Sequence, residues 1–132
     1  MSTPSLREIC EGEAFALFLA SNAMTLAEEQ NDPDMLEMAV EKNLDIWLTV
    51  KAHCMCGYTI LSQSVRDNLI RLADFVCQET VMFRKGDKAG RPGTLATINL
   101  QIAEGMFQAV ERAENEEKQQ NNDTEKSKEY AA

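Results

Sequence analysis

The chain has 132 residues, 44% of them hydrophobic, and a formal net charge of −9. This is the size of one domain that can bury a core without disulfides or metals. The acidic balance argues against a general nucleic-acid-binding protein, because neutralising phosphates requires clustered Lys and Arg. No segment approaches the roughly 18 to 20 consecutive apolar residues of a membrane span. The N-terminus lacks the pattern of a signal peptide, so we expect a cytoplasmic protein.

The spacing of apolar residues predicts a long first helix that runs to about Glu29. Steps of three and four residues place one stripe on a single helix face, formed by Leu6, Cys10, Ala14, Leu17, Ser21 and Met24 and widened by Phe18 and Leu26. Thr3 is the expected N-cap, with Pro4 at the first helical position.

The second helix is predicted to start at Asp32, an N-cap, and Pro33. It should fade between His53 and Gly57. Ser62 or Ser64 is expected to cap the third helix, whose residues 65–83 carry the widest apolar stripe and are predicted to form the central helix of a bundle.

Residues 84–93 contain three glycines and a proline, which predicts a flexible loop. Thr94 then opens a last helix. From Glu114 onward the chain has no apolar residue before Tyr130, which predicts a disordered acidic tail. The sequence thus predicts an all-α fold, a small and mostly up-and-down four-helix bundle. It comprises one domain over residues 1–113 and a polar tail over 114–132.

His53, Cys54 and Cys56 lie close together in the sequence and are residue types that bind metals. A structural zinc site normally needs four ligands, and the fourth would have to be Cys10 or Cys77 from another helix. We therefore expect buried free thiols, no metal and no cofactor. A histidine adjacent to a cysteine does not supply an oriented base, so we expect no catalytic residue and no enzyme activity.

Asn43 and Asn99 interrupt apolar stripes in the second and fourth helices. Each amide could satisfy a helix carbonyl or a buried water. Alternatively, the pair could fix the register between helices or mark a partner groove. Trp47 is expected to anchor the core, or to act as a hot spot for a bound helix if it is partly exposed.

An apolar groove between the third and fourth helices is a further hypothesis. Ile70 and Phe75 lie beside the centre of the third stripe, and Gly105 in the fourth helix leaves room for close approach. With Asn43, Trp47 and Asn99, these residues form the predicted partner-binding set. The basic residues of the loop (Arg84, Lys85, Lys88 and Arg91) are either solvated charges or an electrostatic contact for an acidic partner or RNA.

Short motifs occur in order along the four predicted helices: Glu13-Ala14 and Ala16-Leu17, Asn43-Leu44 with Trp47, Leu69-Ile70, Leu72-Ala73 and Phe75-Val76, then Leu95, Ile98-Asn99 and Ile102-Ala103-Glu104-Gly105. In this order and spacing they resemble the flagellar regulator FlaF family, over about residues 13–110.

The resemblance implies a non-enzymatic cytoplasmic factor that controls flagellin synthesis and flagellum assembly. It implies binding of flagellin as a secretion chaperone or adaptor, and action together with a partner regulator, FlbT. Flagellin termini are amphipathic helices, which a helical bundle can cover in a groove. The alternative is post-transcriptional regulation of flagellin mRNA, directly through the basic loop or through a partner regulator.

Overall fold

The computed structural model describes residues 2–131, leaving Met1 and Ala132 outside the described residues. Between those limits the chain forms four helices and no strand, which confirms the predicted all-α fold. Their bounds are α1 Leu6–Glu29, α2 Pro33–Cys56, α3 Gln63–Arg84 and α4 Arg91–Ala131.

Helix starts follow the capping side chains. The Asp32 carboxylate accepts from the Met35 N–H at 3.1 Å, and Pro33 begins α2 as predicted. Ser62 caps α3. The predicted cap at Thr3 is wrong, because Ser5 caps α1 instead. Ser5 and Glu8 form a reciprocal capping box, which satisfies two backbone N–H groups rather than one.

The last loop is shorter than predicted. Arg84 is the final residue of α3 and Arg91 the first of α4, so the connector is 85–90 and the predicted start at Thr94 is wrong. Pro92 is tolerated because it stands in the first turn, where its missing N–H removes no helical hydrogen bond. The Arg91 side chain also holds this turn, since its Nε donates to the Asp87 carbonyl at 2.7 Å.

α1, rather than α3, is the central helix of the bundle. It packs against both α2 and α4, whereas α3 packs on α2 and makes few contacts with α4. The buried face of α1 carries small side chains, which let two neighbouring helices approach closely; they include Ala14, Ala20, Ser21 and Ala27. The wide stripe of α3 is not fully covered, since Val65 and Phe75 stay exposed. The predicted central position of α3 is therefore wrong.

One core joins the four helices. Its largest fully buried side chains are Trp47, Phe83, Leu17, Met24, Leu69 and Leu95. Two of the four free cysteines, Cys10 and Cys54, are buried with them, while Cys56 is exposed, contrary to prediction.

α4 continues as a helix through Ala131, where the sequence predicts a disordered tail. The segment is rich in Glu, Lys and Gln, which have high helix propensity. Every side chain over residues 115–128 is exposed, so this part of α4 adds nothing to the core. The boundary between a domain over 1–113 and a separate tail stays a prediction.

Candidate partner-binding surfaces

Three of the predicted binding residues form a hydrogen-bonded network inside the bundle. The Trp47 Nε1 donates to the Asn99 Oδ1 at 2.9 Å. The Asn99 Nδ2 donates to the Leu17 carbonyl at 3.0 Å and to the Asn43 Oδ1 at 2.6 Å. The network ties α1, α2 and α4 together, as expected of buried amides that fix register. Asn43, Trp47 and Asn99 are all 0% exposed, so a partner on the intact bundle would not touch them.

Ile70 and Phe75 lie on different sides of α3. Ile70 is partly buried against the core. It lies one turn before Asp74, whose carboxylate pairs with Lys51 of α2 at 2.7 Å, so Ile70 belongs to the α2 side. Phe75 is exposed and follows Asn68 by seven residues, about two full turns. Asn68 lines the space between α3 and α4, so Phe75 belongs to the side of α3 that borders α4.

A groove of about 220 Å³ lies between α3 and α4, where the two helices make few contacts. We call it the α3–α4 groove. Its apolar lining is formed by Leu61, Val65, Leu69, Ile102, Met106 and Ala109. Its polar lining is formed by Asn68, Gln101, Gln108 and Arg112, of which only Arg112 is charged.

Gly105 also lines this groove, as the sequence hypothesis predicts. A Cβ added at this position would meet nothing within 4 Å, so the glycine leaves open space at the groove surface. Gly12 of α1 has similarly open surroundings, because a Cβ added there also meets nothing within 4 Å.

Two of the four basic residues predicted as an electrostatic contact, Arg84 and Arg91, already form ion pairs within the protein. Both ends of the Arg84 guanidinium donate to the Glu41 carboxylate, which lowers the pKa of Glu41. Arg91 donates to Glu79 at 2.6 Å and to Asp87 at 2.8 Å. Lys88 lies over the Phe83 ring, with its Nζ 4.7 Å from the ring centre. These contacts reduce the positive charge available to RNA.

A second apolar surface was not predicted from the sequence. Phe15, Phe18 and Leu19 of α1 are 50%, 40% and 62% exposed, although α1 buries its opposite face. The signal available in the sequence was the unusual width of the first stripe, which Phe18 and Leu26 extend. Periodicity alone does not show which part of a wide stripe remains exposed.

Of the residues that resemble a metal or nucleophile site, Cys54 is buried, His53 is partly buried and Cys56 is exposed. The His53 Nδ1 lies 3.3 Å from the Glu13 Oε2, an ion-pair distance that lacks hydrogen-bond alignment. Burial raises the pKa of Glu13, and His53 opposes that rise. Among the side chains that the structure describes, no three of His, Cys, Asp or Glu are arranged to hold a metal ion.

No described helix is both long and apolar enough to cross a membrane. The fold and surfaces define a small helical-bundle protein with apolar clefts along its helices. A family model described as flagellar protein FlaF matches residues 2–106, and the chain belongs to this family. The resemblance read from the sequence motifs is thereby confirmed. Comparison with curated proteins and with solved structures found no match.

Proposed function

We propose that this protein binds unpolymerised flagellin in the cytoplasm, as a secretion chaperone or adaptor, and so regulates flagellin synthesis and flagellum assembly. Membership of a flagellar protein family supports the flagellar part of this proposal. The observation that carries the binding part is the α3–α4 groove, an apolar surface between two helices that make few contacts. A bundle groove of this kind can cover an amphipathic helix.

Groove size favours the side chains of a docked helix over a small-molecule ligand. Its volume of about 220 Å³ is below the roughly 300 to 1,000 Å³ of typical small-molecule pockets. Leu69 and Met106 form a floor that is almost fully buried, and the open space beside Gly105 would admit an apolar side chain of the partner. The protein acts by binding, and the proposal includes no catalytic step.

Binding in this groove should depend mainly on the burial of apolar surface. Among the described lining residues only Arg112 is charged, so affinity should change little between low and moderate salt. Capture through the basic loop would instead weaken sharply as salt screens the charges. Salt dependence therefore separates the groove from the loop.

The test is a titration of monomeric flagellin into the full-length, RNase-treated protein by isothermal calorimetry at two salt concentrations. Saturable binding with little salt dependence is the expected result. If the folded protein does not bind flagellin, the chaperone proposal fails, and action on flagellin mRNA or through FlbT is favoured. Binding that disappears in a Lys85→Ser/Lys88→Ser variant would assign the contact to the loop instead.

A further inference from the structure

The outward face of α1 continues onto α4 as one apolar surface. The Phe15 and Phe107 rings meet edge to face, with centroids 4.9 Å apart. Phe107 and Phe18 both line a cleft of about 400 Å³ between the two helices, and the exposed Leu100 lines it too. We call this the α1–α4 cleft. Aromatic side chains that are half exposed beside a cleft are typical of interface anchors.

Charge distinguishes this cleft from the α3–α4 groove. Its charged lining residues are Glu104 and Glu111, with no Lys or Arg among those described. Arg112 lines the groove on the other side of α4 instead, and Gln108 lies between the two surfaces because it lines both. The two sides of α4 therefore present opposite charges to a partner.

The two carboxylates are spaced along the helix axis. Glu104 and Glu111 are seven residues apart, which is two helical turns and about 10 Å along α4. They lie on the same side of α4, next to Phe107. A helix lying along the cleft would pass both carboxylates, and Lys or Arg residues two turns apart on that helix would match them.

We propose that the α1–α4 cleft binds an amphipathic helix of a second protein, with an apolar stripe flanked by Lys or Arg two turns apart. Because the two surfaces lie on different sides of α4, this helix can bind while the α3–α4 groove is occupied. A second copy of this chain is a poor occupant, since the chain has a net charge of −9 and its own cleft carries the same carboxylates.

The test uses two synthetic helical peptides, each with the same leucine stripe, flanked in one by lysines two turns apart and in the other by glutamates. Binding of fluorescein-labelled peptide to the full-length protein is followed by anisotropy. The lysine peptide is expected to bind at least about tenfold more tightly than the glutamate peptide, and to weaken as salt is added.

Variants locate the site. Phe18→Ser, and separately Glu104→Gln with Glu111→Gln, should each weaken the lysine peptide by about tenfold or more, the scale of one lost anchor. The controls are Met38→Ser, at an exposed apolar residue of α2, and Glu29→Gln with Glu37→Gln, at exposed carboxylates. Neither control should change the affinity. The carboxylate variant keeps the core intact, so it still tests binding in the α1–α4 cleft if Phe18→Ser fails to fold.

Several results would overturn the proposal. One is no binding of the lysine peptide by wild type, and another is equal binding of the two peptides. A third is binding that the cleft variants leave unchanged. A dimer in light scattering that Phe18→Ser dissociates would show that a second copy occupies the cleft. Flagellin binding is measured separately, so failure here does not affect the groove proposal.

Discussion

The indole Nε1 of Trp47 and the Oδ1 of Asn99 form a 2.9 Å hydrogen bond in the centre of the bundle. The bond joins α2 to α4, and the same amide reaches the Leu17 carbonyl of α1. Buried polar groups are costly unless they are hydrogen-bonded. This network therefore favours the helix arrangement in which the Trp47 indole, the Asn99 amide and the Leu17 carbonyl meet. It supports the bundle that carries both the α3–α4 groove and the α1–α4 cleft.

Trp47→Ala should lower the free energy of unfolding by about 3 to 5 kcal/mol, as large-to-small core changes do. The indole is 0% exposed, and its removal also leaves Asn99 without its donor. Urea denaturation followed by far-UV circular dichroism measures the change. Leu48→Ala, at the next residue but 46% exposed, serves as the control and should have a much smaller effect. A loss below about 1 kcal/mol for Trp47→Ala would contradict the packing described here.

Capping chemistry explains which parts of the fold could be predicted from the sequence. Asp32 and Pro33 gave a correct start for α2 because together they are a strong local signal, and Ser62, one of the two caps predicted for α3, is its N-cap. Thr3 and Ser5 compete for one helix start, and Glu8 decides in favour of Ser5 through the capping box. The start of α4 at Arg91 depends on contacts with Glu79 and Asp87, which periodicity does not show.

The candidate surfaces were harder to predict, for a physical reason. A wide apolar stripe shows that a helix buries much surface, but not which neighbour covers each part of it. Gly105 lines the α3–α4 groove, and its role in binding a partner stays a prediction. The exposed face with Phe15 and Phe18 was missed because α1 is apolar on two sides. Only the packing of α4 on α1 shows which side faces the core.

Alkaline pH should destabilise the protein through two buried thiols. The pKa of Cys10 is raised to about 12 and that of Cys54 to about 11, from an ordinary 9.0. The main cause is burial of the two thiols, and the second is the nearby Glu13 carboxylate. A folded-state pKa above the unfolded value gives stability that is present below about pH 9 and is lost as the pH rises toward 11 and 12. The melting temperature should fall across that window.

Cys10→Ala should reduce this alkaline fall, because the variant has one fewer buried thiol to ionise. Cys56→Ala is the matched control, since Cys56 is exposed on the same bundle. Its melting temperature should fall with rising pH as that of the wild type does. The measurement is thermal unfolding under reducing conditions at several pH values. Identical pH profiles for wild type and Cys10→Ala would contradict burial of this thiol.

Removal of residues 118–132 should leave the melting temperature within a few degrees of wild type. Side chains over 115–128 are exposed, and truncation there retains the Arg7 contacts with Glu114 at 3.3 Å and Glu117 at 3.2 Å. Those pairs are exposed to solvent, which screens them, so they should contribute little to stability. Differential scanning calorimetry gives the comparison. Collapse of the fold on truncation would show that the last part of α4 packs on the domain.

The most direct test of flagellin binding in the α3–α4 groove compares Gly105→Leu with Gly12→Leu in calorimetric titrations of monomeric flagellin. Both glycines lie in helices, are exposed, and have nothing within 4 Å of an added Cβ. Each variant should therefore fold, and each gains helix propensity equally. Only the leucine at position 105 fills the groove. The account predicts that Gly105→Leu weakens flagellin binding at least about tenfold, the scale of one blocked anchor, while Gly12→Leu binds like wild type. Wild-type affinity in a folded Gly105→Leu variant would contradict it.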